Sequence, residues 1–212
     1  SKLVPHLNIV LLGMDGVKAS ISRLLLGEKP SLVPTAARSM SVKQGEVCGL
    51  FITLVEMPAL YNTQLSEQEV MRLTLNCVSV CDPGVHAFLI AVPEGPLTDE
   101  VKLEIKLIQT IFSSRVNDHT IFIINQQSQS EQLHESLQSV INANGWRYTF
   151  YSRNINAEKL FTCFTDLLND SNSYQYTMAM YSDAQWETQL QYKKEIKNLQ
   201  QQLMMSNQNQ AQ

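Results

Sequence analysis

Short apolar runs recur along this chain, and each is followed by a stretch with helical spacing. The first, Leu7-Asn8-Ile9-Val10-Leu11-Leu12, ends at Gly13. A nearly continuous run of that length reads as a strand buried on both faces. Residues 50–56 read the same way, and 85–92, 120–124 and 146–151 read as further strands. Between them, 20–26, 66–81, 98–112, 130–142 and 157–168 read as helices, with Val70, Leu73, Cys77 and Val80 repeating near 3.6. Ser66 with Glu69 is a capping-box pattern, and Thr98 marks another helix start. Residues 42–47 read as a further strand joined to the next at Cys48-Gly49, and 28–41, with Pro30 and Pro34, as a loop. This alternation predicts an α/β domain with a mostly parallel, twisted sheet and helices on both faces. Right-handed crossovers bring the strand-end loops to one edge, where such folds bind ligands. Function is therefore expected in the loops after residues 12, 56, 92, 125 and 151.

The chain has 212 residues, of which 44% are hydrophobic, enough for one such core plus an extra helix. Its net charge of −4 argues against a nucleic-acid partner, which would need a basic face. No apolar run approaches the ~20 residues that span a bilayer, and no secretory leader pattern is present. The opening Ser1-Lys2, without Met, fits excision from a longer protein. Cys48, Cys77, Cys81 and Cys163 read as reduced packing thiols, and the four histidines show no ligand spacing. Residues 1–170 are expected to form the domain, 171–183 a polar linker, 184–205 a helix and 206–212 a disordered Gln/Asn-rich tail. Trp186, Leu190, Ile196, Leu199 and Leu203 give that helix an incomplete apolar stripe, for packing on the domain or on another chain, with Trp186 the expected anchor.

The first strand, glycine turn and helix start suggest a phosphate cradle, whose pattern is G-x-x-x-x-G-K-[ST]. Here the segment is Gly13-Met14-Asp15-Gly16-Val17-Lys18-Ala19-Ser20. Gly13 and Ser20 fall in place. Lys18 sits where the second glycine belongs, and Ala19 where the lysine belongs. The cation comes one residue early, and a Cβ at position 18 crowds a loop that needs free φ. Lys18 is either a remnant anion contact or a solvated turn residue.

Further along, Val55-Glu56-Met57-Pro58-Ala59-Leu60-Tyr61-Asn62-Thr63 is similar to a D-T-P-G-L-F-D-T sequence. Residues 82–100, Asp-Pro-Gly-Val-His-Ala-Phe-Leu-Ile-Ala-Val-Pro-Glu-Gly-Pro-Leu-Thr-Asp-Glu, are similar to the box S-P-G-P-H-A-L-L-L-V-V-P-x-G-R-Y-T-E-E. With Asn144-Gly145-Trp146-Arg147-Tyr148 and the first turn, these segments resemble the G domain of the GIMAP immunity-associated GTPases, over residues 7–168. The resemblance implies a Ras-like P-loop G domain, here followed by a helical extension.

It also implies which positions once met the nucleotide. The phosphate loop is Gly13, Gly16, Lys18, Ala19 and Ser20. Glu56 stands for the Asp that reaches Mg2+ through water, Ala59 follows Pro58 where a Gly meets the γ-phosphate, and Ser41 stands for the first-switch Thr. The guanine-reading segment is Asn125 to Ser128, with Ser128 in place of a carboxylate that accepts two guanine N–H groups. Ser152 and Arg153 replace the segment that stacks on the base. In the family box, His86 reads as a satisfied structural histidine, Pro93 and Gly95 are kept, and Pro96 replaces an Arg that resembles a catalytic finger. Ser20 and Glu56 are the metal candidates that remain, with Asp15 beside them.

Losing the loop lysine and the base carboxylate costs roughly 2–4 kcal/mol each, together on the order of 10³-fold or more in affinity. The expectation is a degenerate, pseudo-GTPase member of the family with no catalytic residue. It acts as an assembly or scaffold module in immune or intracellular membrane processes, with hydrolysis absent or very slow. No cofactor is expected, and GTP or GDP with Mg2+ enter only if the site still binds. The resemblance implies protein partners, as homo- or hetero-oligomers with related G domains. It also implies a cytoplasmic location or the cytosolic face of an intracellular membrane, reached through segments outside this chain. Two alternatives stand beside it. One is a slow GTPase with Lys18 rearranged towards the β-phosphate and Ser20 on Mg2+. The other is an assembly domain of a larger immune protein.

Overall fold

The computed structural model describes residues 6–27, 32, 39–61, 64–152, 157–170 and 174–212. In chain order the elements are β1 (His6–Gly13), α1 (Asp15–Leu26), β2 (Ser41–Val47), β3 (Leu50–Glu56), α2 (Glu67–Val80), β4 (Ala87–Pro93), α3 (Asp99–Phe112), β5 (Thr120–Asn125), α4 (Glu135–Asn144), β6 (Arg147–Tyr151), α5 (Ala157–Asp170) and α6 (Met178–Gln210). The sheet order is β2-β3-β1-β4-β5-β6, with every neighbour parallel except β2 on β3. Cys48 and Gly49 join those two strands with φ of 50° and 77°, the left-handed pair that a two-residue hairpin requires.

Successive β1 side chains serve opposite cores. Ile9 and Leu11 meet Ile21, Leu25 and Phe164 from α1 and α5, whereas Val10 and Leu12 join Cys77, Ile108 and Phe122 on the other face. Both faces are dry, which is why the strands read as unbroken apolar runs rather than as alternating ones. The Ser66–Glu69 capping box forms, and the Thr98 hydroxyl accepts from the Val101 amide. Burial pushes the Cys81 thiol up to about 12 and Cys77 well above its usual value, so both remain protonated packing groups.

Several boundaries differ from the sequence expectation. Helix α1 begins at Asp15 rather than at residue 20, and α4 at Glu135 rather than at 130. Val85 lies outside β4 and bridges Tyr176. Most importantly, α6 starts at Met178, inside the expected linker, and continues to Gln210, through the expected disordered tail. Thr177 caps it, and the fully buried Tyr176 ring lies against Phe88 and Phe112. Tyr176 also donates to the Phe112 carbonyl, Tyr181 shares a 2.7 Å hydrogen bond with Thr74, and Gln185 donates to Ile111. The expected anchor, Trp186, is instead 58% exposed, with Lys193 above its ring. Among the described residues, no helix is long and apolar enough to cross a membrane.

Candidate functional site at the carboxyl edge of the sheet

The turn after β1 is a single residue. Gly13 has φ of 106°, and a Cβ there would lie 2.2 Å from the Ala91 carbonyl oxygen, so only glycine fits. Met14 donates its amide to that carbonyl, and α1 begins at once, the Lys18 amide bonding the Met14 carbonyl at 3.1 Å. Gly16, Lys18, Ala19 and Ser20 therefore lie on the first turns of a helix, not in a loop. Gly16 has open space around the site of a Cβ and uses none of its freedom.

Lys18 is only 1% exposed. Its ammonium donates to the Met57 carbonyl at 2.5 Å and lies 2.8 Å from the Asp15 carboxylate, itself 80% exposed. Lys18 is therefore not a solvated turn residue: it is turned to the loop that follows β3, the second-switch position of a G domain. That loop is held from a second side. Glu104, buried on α3, accepts the Leu60 amide at 2.8 Å and the Tyr61 amide at 2.5 Å. Burial pushes the Glu104 carboxyl up. The two amides and the Lys18 charge pull it down, and Asp15 adds to the rise. Pro58 and Ala59 are half-buried within the segment so clamped.

The other switch and metal candidates are dispersed. Ser41 is buried at the start of β2, opposite Glu56 at the end of β3. Ser20 is half-buried on α1. Among the described residues, no three His, Cys, Asp or Glu side chains converge on one point.

At the base edge, Asn125 ends β5. The Glu94 carboxylate accepts the Gln127 and Ser128 amides at 2.6 and 2.8 Å and lies 2.6 Å from the Ser128 hydroxyl. These bonds, the hydroxyl's first, hold Glu94 below the usual carboxylate range. Ser128 is thus engaged by the protein's own acid. Ser152 follows β6 and is half-buried, while Arg153 lies outside the described residues. In the box, Pro93 closes β4, Gly95 has φ of 108°, and Pro96 is exposed. His86 sits just before β4, on the far side from these loops. Its Nδ1 accepts the Asn8 amide at 2.9 Å, and its Nε2 lies 2.9 Å from the Gln175 side-chain amide, which makes it a structural histidine.

This strand order and this ring of loops find a match among known families: the AIG1 family model covers residues 7–196. The chain belongs to the AIG1 family. Among curated relatives, it is 23% identical over 145 residues to the immune-associated nucleotide-binding protein 9 of Arabidopsis thaliana (65% of this chain, 42% of the relative). It is 27% identical over 123 residues to protein 5 of the same series (56% and 40%). The chain thus spans less than half the length of either. Its fold is shared with Toc33 of Arabidopsis thaliana in complex with GDP and Mg2+ (TM-score 0.53, 16% identity, 69% of this chain and 70% of that one). It is also shared with the G domain of the T. maritima iron transporter FeoB (TM-score 0.54, 14% identity, 76% and 98%). By family and fold, the chain is a GTP-binding-type G domain.

Two acids of this AIG1 domain that hold its ligand-edge loops, Glu104 and Glu94, escaped the sequence reading. Glu104 had a signal. It occupies the apolar face of α3 with Val101, Ile105 and Ile108, and a carboxylate at a core position needs partners. Glu94 had none, because its partners lie 33 and 34 residues away across a sheet edge.

Proposed function

We infer that this AIG1 domain is a pseudo-GTPase: it keeps the G-domain frame as an assembly surface and binds guanine nucleotide weakly or not at all. One observation carries the reading. The cation nearest the phosphate position is buried and already bonded to Met57 and Asp15, on a helix whose first turn replaces the cradle. A phosphate cradle works by turning several free backbone N–H groups on one anion. Here the Lys18 amide is spent inside α1, and the remaining first-turn donors stand beside the Asp15 carboxylate, which repels an anion. A triphosphate with Mg2+ therefore does not fit these residues as they stand. The engagement of Ser128 by Glu94 adds a base edge without a free carboxylate.

Assembly through G-domain faces is supported by the solved relatives. One, of the chloroplast translocon components Toc33 and Toc159, is described by the dependence of GTPase activity on dimerisation (TM-score 0.57, 14% identity). Homo- or hetero-oligomers with related G domains, a role in immune or membrane processes, and a cytoplasmic or membrane-facing location all belong to this proposal. The longer relatives favour the variant in which the domain serves a larger protein.

The test is calorimetry with a non-hydrolysable GTP analogue and Mg2+. The expected dissociation constant is about millimolar or weaker, some 10³-fold above a micromolar binder. Micromolar binding would favour the slow-GTPase reading, with Lys18 swung from Met57 to a phosphate. The nucleotide-bound solved relative keeps that reading in play.

A further inference from the structure

In switching G proteins, the γ-phosphate and its Mg2+ order the switch loops, which are released on hydrolysis. In this chain the segment after β3 is held by groups of the protein itself. The Met57 amide continues the sheet ladder to the Leu11 carbonyl at 3.0 Å, while the Met57 carbonyl receives the Lys18 ammonium. Three residues on, both oxygens of Glu104 receive the consecutive amides of Leu60 and Tyr61. A carboxylate receiving two neighbouring main-chain N–H groups does what a phosphate oxygen does for such a loop. The two clamps are coupled, because the Lys18 charge acts on Glu104.

We propose that Glu104 and Lys18 together stand in for a bound phosphate, latching the second-switch loop in one conformation that does not depend on nucleotide. The latch has a consequence at the surface. Leu60, Tyr61 and Leu65 form one wall of a groove of about 560 Å³, whose other walls are Leu107 and Ile111 of α3 and Tyr192 of α6. With the loop latched, that apolar groove is a permanent feature rather than a nucleotide-gated one.

The inference is built on the proposal that nucleotide does not set this loop, but the two fail separately. Amide hydrogen exchange on the full chain without nucleotide is the test, comparing wild type with Glu104→Gln and Lys18→Met. Glutamine keeps one acceptor oxygen but turns an NH2 towards the second amide, which loses its partner. The expected result is protection of the Met57, Leu60 and Tyr61 amides in the wild type, unchanged by GTP with Mg2+. In Glu104→Gln, exchange of the 60–61 amides should rise about tenfold or more. Free exchange of these amides in the wild type, or no change in Glu104→Gln, overturns the latch. Should Lys18→Met fail to fold, the wild-type protection and the Gln variant still decide. If GTP binds at micromolar affinity while these amides are already protected without it, the pseudo-GTPase reading fails and the latch stands. If GTP does not bind and they exchange freely, the reverse holds.

Discussion

His86 shows how one side chain ties pH to the fold. Burial first, and then the charges of His6 and His119, lower its pKa from 6.5 to about 4. A protonated ring would also turn a donor towards the Asn8 amide, where Nδ1 now accepts. Because the folded pKa lies below the unfolded one, the unfolded chain takes up the proton first as pH falls. Stability is therefore full above about pH 6.5 and drains away down to about pH 4. His119, buried and also lowered, acts in the same direction. The midpoint of urea unfolding should fall between pH 7 and pH 4.5, with His86 contributing about 1–2 kcal/mol after allowance for its partial exposure. His86→Gln, which keeps an acceptor but cannot titrate, should flatten that slope. An unchanged slope would mean that other groups set it.

At the scale of single elements, α1 explains why the cradle is missing. A phosphate loop keeps its glycines where the chain must leave helical geometry. Lys18 replaces one of them and favours helix over glycine by about 1 kcal/mol. Asp15 in the first turn suits the helix dipole, so the helix propagates back to Met14. Helix α2 begins on a feature that can be tested directly. The Ser66 hydroxyl accepts the Glu69 amide at 3.2 Å, and the Glu69 carboxylate accepts the Ser66 amide at 2.8 Å. Ser66→Ala removes half of the box and should lower stability by about 1 kcal/mol in urea melts. The change is at the surface, so the fold should be kept. A loss below about 0.3 kcal/mol would mean that the Glu69 side chain alone satisfies the helix end.

Across the whole molecule, the C-terminal helix is joined to the domain through the residues that precede it. Tyr176 is fully buried among Phe88 and Phe112, bridges Val85, and donates to Phe112. Arg115 and Glu187 add an exposed ion pair between the 3-10 turn (Ser114–His119) and α6, worth little by itself. Tyr176→Ala should cost about 3–5 kcal/mol, as for emptying any large aromatic site, and should loosen α6 from α3. Limited proteolysis would then cut between 178 and 190 in the variant but not in the wild type. Equal cutting in both would mean that Tyr181 and Gln185 hold the helix without it.

The order of strands and helices was legible in the residues, because period and apolar run length depend on near neighbours. The same holds for the Ser66 cap and for the displaced lysine of the first turn. The start of α6 was not legible. Residues 171–183 read as linker, and only the packing of the Tyr176 ring onto β4 and α3 anchors the start of the helix. The site divides in the same way. Which groups are missing from the phosphate and base positions follows from letters at fixed spacing. Where Lys18 points, and that Glu104 grips Leu60 and Tyr61, depends on groups 39 to 44 residues away in sequence. A long side chain has many rotamers, and only neighbours brought together by the sheet and helices select among them, so only the tertiary structure decided those contacts.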